Sequence, residues 1–260
     1  MIEHNFKKKF GQNFLKDKNV LKKIAELSPS NNEDLTIEVG PGAGALTEEL
    51  LRKSNVLAYE IDKELEEKLK EKFQNCNFHL IIDDFLNRDL KEDLKHLKYK
   101  KLYVIANLPY YITTPIINKL IIEQLDIEKM VFMVQKEVGD RFSAKVGTRD
   151  YSSITVFLNY FFDIKKEFEV SKNCFFPKPN VDSVIISFTK KTNQIEIKNK
   201  ELFFKLIRDS FTQKRKTLKN NLKCYDFEKI KKVLEKHGLP NDVRAENISL
   251  ETFIEISNEL

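Results

Sequence analysis

The sequence has little cysteine, glycine or proline and no long hydrophobic run. Its three cysteines, Cys76, Cys174 and Cys224, lie far apart with no Cys-x-x-Cys pair, which argues against a disulfide framework and a zinc site. No apolar run approaches the roughly 18 residues that a membrane span requires. Seven glycines and seven prolines among 260 residues are typical of an ordered chain. We expect a soluble protein of the reducing cytoplasm, without metal.

Charge is nearly balanced overall but unevenly distributed. The chain has 45 basic and 40 acidic residues, a net charge of +5 that is weak evidence for a polyanionic partner. Residues 211–223 contain five basic side chains and no acid, and the first 23 residues contain seven lysines and two acids. These two stretches are the candidates for contact with a polyanion.

Short apolar, β-branched segments alternate with helical patterns through the first half of the chain. The predicted strands are TIEV (36–39), NVLAYEI (55–61), FHLII (78–82), LYVIA (102–106) and MVFMV (130–134). The predicted helices between them include 46–53, 63–73 and 114–124. This alternation predicts an α/β fold, with a parallel sheet covered by helices on both faces.

The second half changes from strands to helices. SITVFLNYFF (153–162) and DSVIISFT (182–189) are read as an antiparallel strand pair at the sheet edge. From residue 200 onward the pattern is wholly helical, beginning with one long helix over KELFFKLIRDSFTQKRKTLKNNL. We therefore predict a first domain at 1–190 and a small, all-helical second domain at 191–260.

A glycine-rich segment, EVGPGAGALTEEL, joins the first strand to a helix. Gly40, Gly42 and Gly44 allow the backbone to approach a ligand closely, and the absence of Gly-Lys-Ser/Thr excludes a P-loop. Glu60 ends the next strand, where a carboxylate can accept both hydroxyls of a ribose, and Asp84 follows the third strand, near an adenine edge. These features predict a nucleotide-type cofactor and leave a nicotinamide dinucleotide and S-adenosylmethionine open.

The segment VIANLPYYITTPI distinguishes between these two cofactors. Asn107 ends the fourth strand, so its side-chain carbonyl and the backbone carbonyl of Leu108 can accept both protons of one exocyclic amine. This pairing directs the nitrogen lone pair at an electrophile, and Tyr110 offers a ring on which a base can stack. The sulfonium methyl of S-adenosylmethionine is such an electrophile, whereas hydride transfer has no evident use for this arrangement.

A second aromatic segment, NCFFPKPNVDS (173–183), precedes the last strand. Phe175 and Phe176 lead into two prolines that stiffen the loop, so one ring can face a flipped-out base opposite Tyr110. A Phe-Phe pair is more often part of a core. This interpretation therefore depends on the Asn-Leu-Pro-Tyr motif.

In these motifs the chain resembles the KsgA-type ribosomal RNA adenine dimethyltransferases, which are related to the erythromycin-resistance methylases. The resemblance runs through nearly the whole chain. Its segments are KKKFGQNFL, EVGPGAGALT, YEID, DDFL, ANLPYYITTPI, FMVQKEVGDRF, FFPKPNVDS, FTQKRKTLKNNL and RAENISLETF. It implies a class I, Rossmann-like methyltransferase domain followed by a small helical domain.

The resemblance also implies roles for individual residues and a reaction. The implied contacts to S-adenosylmethionine are Asn13, Leu15, Gly40, Glu60, Asp84 and Asn107. Asn107, Leu108 and Tyr110 are implied around the target amine, with Phe175 as the stacking ring. The implied reaction is N6,N6-dimethylation of two adjacent adenosines near the 3′ end of small-subunit rRNA, on an assembling subunit. RAENIS and FTQKRKTLKNNL favour this small-subunit branch over the large-subunit, erythromycin-resistance branch.

On a helical wheel, one arc of the predicted long helix carries the basic side chains and the opposite side is apolar. The basic residues of this arc are Lys205, Arg208, Arg215, Lys216, Lys219 and Lys223. We predict that they contact rRNA, with Lys7, Lys8 and Lys9 extending the surface, although a solvated face is the commoner reason for such a stripe. A non-catalytic ribosome-assembly factor and a nicotinamide oxidoreductase remain the alternatives, and a monomer is expected.

Overall fold

The main element of the first part of the chain is a seven-stranded, mostly parallel β-sheet. The computed structural model describes residues 14–109, 112–192 and 195–260. The strands described are β1 (Phe14–Leu15), β2 (Leu35–Val39), β3 (Asn55–Glu60), β4 (Phe78–Ile82), β5 (Leu102–Asn107), β6 (Ile127–Gln135), β7 (Phe162–Val170), β8 (Phe175–Phe176) and β9 (Ser183–Lys190). The sheet order is β4-β3-β2-β5-β6-β9-β7, and β1 pairs with β8 in a separate two-stranded sheet.

Helices follow most of the strands. They are α1 (Lys18–Glu26), α2 (Ala45–Leu51), α3 (Glu66–Lys72), α4 (Leu90–Leu94), α5 (Thr113–Ile122), α6 (Lys136–Phe142), α7 (Ser153–Phe161), α8 (Lys200–Ser210), α9 (Leu218–Asn221), α10 (Phe227–Lys236) and α11 (Leu250–Glu259). Short 3₁₀ turns lie at Lys63–Leu65, Phe85–Asn87, Lys172–Cys174 and Ala245–Asn247. The predicted helices after β2, β3 and β5 are confirmed.

The direction of the strands explains why ligand-binding residues meet at one edge. Strands β4, β3, β2, β5 and β6 run parallel, and β9 runs antiparallel to β6. Every residue of β2 is buried, as expected of a strand covered on both faces. Chain order reverses between β2 and β5, and an open α/β sheet binds ligands beyond the carboxyl ends of its strands at such a point. The predicted α/β fold is confirmed.

The prediction of a strand at 153–162 was wrong, because residues 153–161 form helix α7. Its β-branched and aromatic residues favour a strand locally, but packing against α8 decides the outcome. The ring centroids of Tyr160 and Phe203 lie 5.7 Å apart, and Phe161 stacks on Phe204 at 6.0 Å. At the helix start, the Ser152 N–H donates to Thr155 Oγ1 at 3.1 Å. The strand next to β9 is instead β7, at Phe162–Val170.

The chain divides into two compact units. The first comprises Met1–Gly139 with Lys165–Thr189, and the second comprises Asp140–Ile164 with Lys190–Leu260. The predicted border at 190/191 lies close to the last of the three points at which the chain passes between the units, at 189/190. The prediction puts residues 140–164 in the first domain, whereas they belong to the second unit. The second unit has its own apolar core, which includes Phe203, Leu206, Leu218 and Phe253.

The prediction of one long helix over residues 200–222 was also wrong. Helix α8 ends at Ser210, and the four-residue α9 begins only at Leu218. The Asn221 side chain donates to the carbonyls of Ser210 (2.6 Å) and Gln213 (3.2 Å), which stabilises the turn between them. The helical-wheel arrangement of the basic residues therefore does not exist, although Phe203, Ile207, Leu218 and Leu222 are buried as predicted.

Candidate active site

The glycine segment lies in the turn between β2 and α2. Gly40, Gly42 and Gly44 all have positive φ, a conformation that L side chains rarely adopt. A Cβ on Gly42 would lie 2.7 Å from the Phe14 ring, and one on Gly44 would lie 2.7 Å from the Phe73 ring. A Cβ on Gly40 would meet nothing within 4 Å. Gly40 therefore faces open space, while the other two glycines allow the loop to lie close to neighbouring side chains.

Glu60, at the end of β3, is bonded to this loop. Its Oε2 accepts the Gly42 N–H at 3.0 Å, and its Oε1 accepts the Asp62 N–H at 2.9 Å. The side chain is only 3% exposed, and its burial raises the carboxyl pKa, against the effect of these backbone hydrogen bonds. Each carboxylate oxygen has a second lone pair. Glu60 is therefore held in place and still able to accept bonds from a diol.

A second carboxyl group at this edge, Glu38, received no role from the sequence. It lies in β2 and is 1% exposed. Its Oε2 accepts a hydrogen bond from Thr47 Oγ1 at 2.6 Å. Burial raises its pKa to about 8, with a smaller contribution from Glu60, whereas Thr47 and Lys72 oppose the rise. Its position as the first residue of the glycine-rich segment was the signal that could have identified it.

Lys72 of α3 stabilises the glycine loop through hydrogen bonds to its backbone carbonyls. Its Nζ donates to the backbone carbonyls of Ala43 (3.3 Å) and Gly44 (3.2 Å) and lies 3.5 Å from Glu48 Oε2. The loop conformation is thus stabilised by a lysine nearly thirty residues away. No pattern in the sequence points to this contact.

One cavity of the first unit gathers most of the predicted cofactor residues. They are Leu15, Gly40, Gly42, Glu60, Asp84 and Asn107. The cavity is also lined by Phe14, Glu38, Tyr59, Phe85 and Pro109, among others. Gly44 is not among its lining residues and caps α2 instead. Asn13 and Tyr110 lie outside the described residues.

Asp84 and Asn107 enter the cavity from two different strand ends. Asp84 caps the turn after β4, and its Oδ1 accepts the Leu86 N–H at 3.0 Å. Asn107 is the last residue of β5 and half-buried. Leu108, whose backbone carbonyl is the second predicted acceptor, has a side chain only 2% exposed. Asp84 and Asn107 thus share a cavity, while the buried Leu108 is not among its lining residues.

Of the two adjacent phenylalanines, Phe175 is buried in the core and Phe176 is exposed to solvent. Phe175 is 6% exposed and belongs to the apolar core of the first unit with Leu15, Leu21 and Ile24. Phe176 is 47% exposed. Phe175 is not among the residues lining the cavity. Its stacking role stays a prediction, and it requires the ring to become accessible.

Neither a metal cluster nor a membrane helix is found among the described residues. In the ranges 14–109, 112–192 and 195–260, no three His, Cys, Asp or Glu side chains are grouped so as to hold a metal ion. No helix within these ranges is long and apolar enough to cross a membrane. The acidic side chains that line the cavity are Glu38, Glu60, Asp83 and Asp84.

Comparison with known proteins identifies the family. The family model described as ribosomal RNA adenine dimethylase matches residues 3–260. The chain belongs to this family. It is 46% identical, over 97% of each chain, to ribosomal RNA small subunit methyltransferase A of Mycoplasma mobile.

Two crystal structures of other proteins have a fold similar to that of this chain. A dimethyladenosine transferase from Plasmodium falciparum is 27% identical, with a TM-score of 0.78 over 94% of this chain and 95% of that one. The 23S rRNA methyltransferase ErmE is 24% identical, with a TM-score of 0.78 over 95% of this chain and 99% of that one, and this likeness concerns the fold alone. The predicted Rossmann-like methyltransferase fold is thereby confirmed.

Proposed function

We propose that this protein is a ribosomal RNA adenine N6,N6-dimethyltransferase. It methylates the N6 amines of two adjacent adenosines near the 3′ end of small-subunit rRNA, with S-adenosylmethionine as the methyl donor. The observation that carries the proposal is the cavity in which the glycine loop, Glu60, Asp84 and Asn107 meet, in a chain of the adenine dimethylase family. The close likeness to small subunit methyltransferase A favours the small-subunit target.

The cavity residues fit the cofactor by their chemistry. Glu60 keeps acceptor capacity for the two ribose hydroxyls, because its oxygens have lone pairs beyond those used by the Gly42 and Asp62 N–H groups. Asp84 is placed for an adenine edge, and the open space beside Gly40 leaves room for the rest of the ligand. Leu15 contributes apolar contact. When bound, S-adenosylmethionine supplies a methyl group already activated by the positive sulfur.

The chain's own contribution to transfer is orientation of the amine. The Asn107 side-chain oxygen and the Leu108 carbonyl accept the two N6 protons, so the lone pair is withdrawn from the ring and directed at the methyl carbon. With S-adenosylmethionine bound, these two acceptors would hold the amine in line with the methyl group, and the proton that the methylated amine must lose would pass to solvent water. Tyr110 and Phe175 stack on the base in this proposal.

Exposed basic side chains of the second unit are the proposed rRNA contacts. Lys214 of the loop 212–217 donates to the Arg149 carbonyl at 2.6 Å, so this loop and the loop 145–150 lie together. We call these two loops with Lys219 and Lys223 the basic surface. Its exposed basic residues are Lys145, Arg149, Lys214, Arg215, Lys216, Lys219 and Lys223. Clustered in the two loops and in and beside α9, they suit the phosphates of folded RNA, which is recognised largely by shape.

The proposal includes a division of labour and a cellular setting. The first unit carries out the chemistry and the second docks on rRNA. The partner is the assembling small ribosomal subunit, the protein acts as a monomer, and its location is the cytoplasm. An assembly role can accompany catalysis, because docking and methyl transfer use different side chains.

The test is to incubate unmethylated small subunits, and separately large-subunit RNA, with the protein and labelled S-adenosylmethionine. Mass spectrometry of the digested nucleosides then identifies the product. Dimethyladenosine arising only from small subunits supports the proposal. Label in large-subunit RNA would instead indicate an activity of the erythromycin-resistance type, and binding without label in either RNA would indicate a non-catalytic assembly factor.

A further inference from the structure

Phe176 is an exposed aromatic ring, whereas the other phenylalanines of the described residues are buried or half-buried. It is the one phenylalanine among the exposed large apolar side chains of the described residues. Successive side chains of a strand point to opposite faces, so the burial of Phe175 in β8 turns Phe176 outward. The exposed part of the ring contributes less to the stability of the fold than a fully buried ring would.

The ring has a positively charged neighbourhood. Lys16 Nζ lies 4.0 Å from the Phe176 ring centroid, and the exposed Lys178 follows two residues later. The two nearest acids along the chain already have backbone partners. Asp17 accepts the Asn19 N–H at the start of α1, and Asp182 accepts the Lys172 N–H at 2.9 Å. The carboxylates nearest in sequence thus accept backbone hydrogen bonds, whereas Lys16 and Lys178 are exposed.

The backbone beside the ring is held in place. The Lys16 N–H donates to the Cys174 carbonyl at 2.9 Å, which anchors β1 to the segment before β8. After Phe176 the chain continues through Pro177 and Pro179, each of which fixes φ. An aromatic ring on such a segment loses little conformational entropy when a planar ligand stacks on it.

Strand pairing places Phe176 at the rim of the cavity. In the β1-β8 pair, Phe176 lies directly opposite Phe14, and Phe175 lies opposite Leu15. Opposite residues of an antiparallel pair point to the same face, with Cβ atoms about 4.5–5.5 Å apart. Phe14 lines the cavity, and its ring contacts the position where a Gly42 side chain would begin. Phe176 is thus the strand partner of a residue that lines the cavity, the same cavity that Glu60 and Asn107 line.

We propose that Phe176, with Lys16 and Lys178, forms a stacking platform for the unpaired nucleotide that flanks the target adenosine in the RNA. This inference rests on the proposed function. The ring offers a face to any base, and the two lysines attract the phosphates on either side of it. An apolar protein surface would gain nothing from these charges, so single-stranded RNA is the partner that the site fits.

The platform explains how a chain of this kind holds two adjacent adenosines. The cavity takes one base for reaction, while its neighbour must leave the RNA stack without entering the cavity. A ring at the rim offers that neighbour a stacking surface in place of the one it lost. Phe176 is therefore a substrate-positioning residue, and it does not touch the reacting nitrogen.

The test uses the variants Phe176→Leu and Phe176→Trp, with Val181→Ala as the matched control. Val181 lies in the same loop and is 43% exposed. Methyl transfer to unmethylated small subunits is measured across a range of subunit concentrations. We expect Phe176→Leu to raise KM for the subunit at least about fivefold, with kcat within about twofold of the wild-type value. Phe176→Trp and Val181→Ala should keep a wild-type KM.

A second, independent readout concerns charge. Lys16→Gln should lower the slope of log Kd against log salt for an unmethylated rRNA fragment by about 0.7 to 0.9. Cofactor affinity and melting temperature should stay unchanged in each variant, because all the altered side chains are exposed.

The outcomes separate this inference from the function on which it rests. An unchanged KM for Phe176→Leu in an active enzyme would overturn the platform alone. A fall in kcat at unchanged KM would also overturn it, since Phe176 would then act on the reacting base. A wild-type protein that does not methylate small subunits would overturn the proposed function, and the platform with it.

Discussion

The cofactor edge of the first unit and the basic surface of the second differ in how they use charge. At the cofactor edge, Glu38 and Glu60 are almost fully buried, and each accepts hydrogen bonds from the protein. On the basic surface, every lysine and arginine is exposed. The edge has few charges, which are buried and hydrogen-bonded, whereas the basic surface has many charges, which are exposed.

The difference follows from what each region binds. A small cofactor is recognised by a few oriented groups, and a buried charge acts strongly because little water screens it. A folded RNA presents many phosphates, so affinity comes from the number of nearby cations and falls as salt rises. We therefore expect single substitutions to have large effects at the edge and small, additive effects on the basic surface.

The largest effect should follow from Asn107→Ala. Loss of the side-chain acceptor should lower kcat about 10²–10³-fold, the cost typical of removing one oriented hydrogen-bonding group from an active site. Affinity for unmethylated small subunits should change less than about twofold, because the basic surface is intact. Single-turnover methylation and filter binding measure the two quantities. An equal loss in both would show that Asn107 stabilises the fold or the docked state instead.

The next effect is a pH dependence of stability caused by Glu38. Its pKa is raised from an ordinary value of 4.5 to about 8 in the folded chain. Between these values the folded chain keeps a proton that the unfolded chain has released, so stability is lost as pH rises through this window. Each unit of pKa difference is worth about 1.4 kcal/mol.

Glu38→Gln removes this titration and should therefore flatten the dependence. The free energy of unfolding of the wild type should decrease, relative to that of the variant, by several kcal/mol from pH 5 to pH 8. This is the order of magnitude expected from about 1.4 kcal/mol for each unit of pKa difference. Urea unfolding at a series of pH values measures it. Parallel curves for the two proteins would mean that Glu38 is ionised throughout and that its burial is compensated by other contacts.

A smaller effect is expected for Glu60→Gln. An amide keeps one acceptor oxygen but cannot accept two hydroxyls and two N–H groups together, so affinity for S-adenosylmethionine should fall about 10-fold or more, as when a buried hydrogen-bonding group loses a partner. Calorimetry measures the affinity. Glu67→Gln, at an exposed position of α3, is the control and should bind normally. Unchanged binding by Glu60→Gln would remove the ribose assignment.

The smallest effect per residue should come from the basic surface. The double change Arg215→Glu and Lys219→Glu should weaken rRNA binding several-fold and lower the log–log salt slope by about 1–2. The control is Lys91→Glu with Lys98→Glu, two exposed lysines of the first unit, which changes net charge equally. If both pairs weaken binding alike, net charge alone governs association and the basic surface has no special role.

The sequence predicted the cofactor edge better than the basic surface. Gly40 and Asp84 follow apolar strands, and Glu60 and Asn107 end them, so the parallel sheet brings the four residues together once the strands are recognised. The basic residues were assigned to one helix that ends at Ser210. The turn that ends it depends on the Asn221 side chain and on contacts of the core, neither of which a helical period shows.

The sequence by itself determined the strand ends, the motifs and therefore the family, since these depend on residue order and on period-two hydrophobic patterns. Only the tertiary structure decided that residues 153–161 are helical, that Glu38 is a buried acid, and that Phe176 rather than Phe175 is exposed. The physical reason is the same in each case. Packing against distant parts of the chain sets burial, and burial can override local propensity, shift a pKa and select which of two neighbouring rings meets solvent.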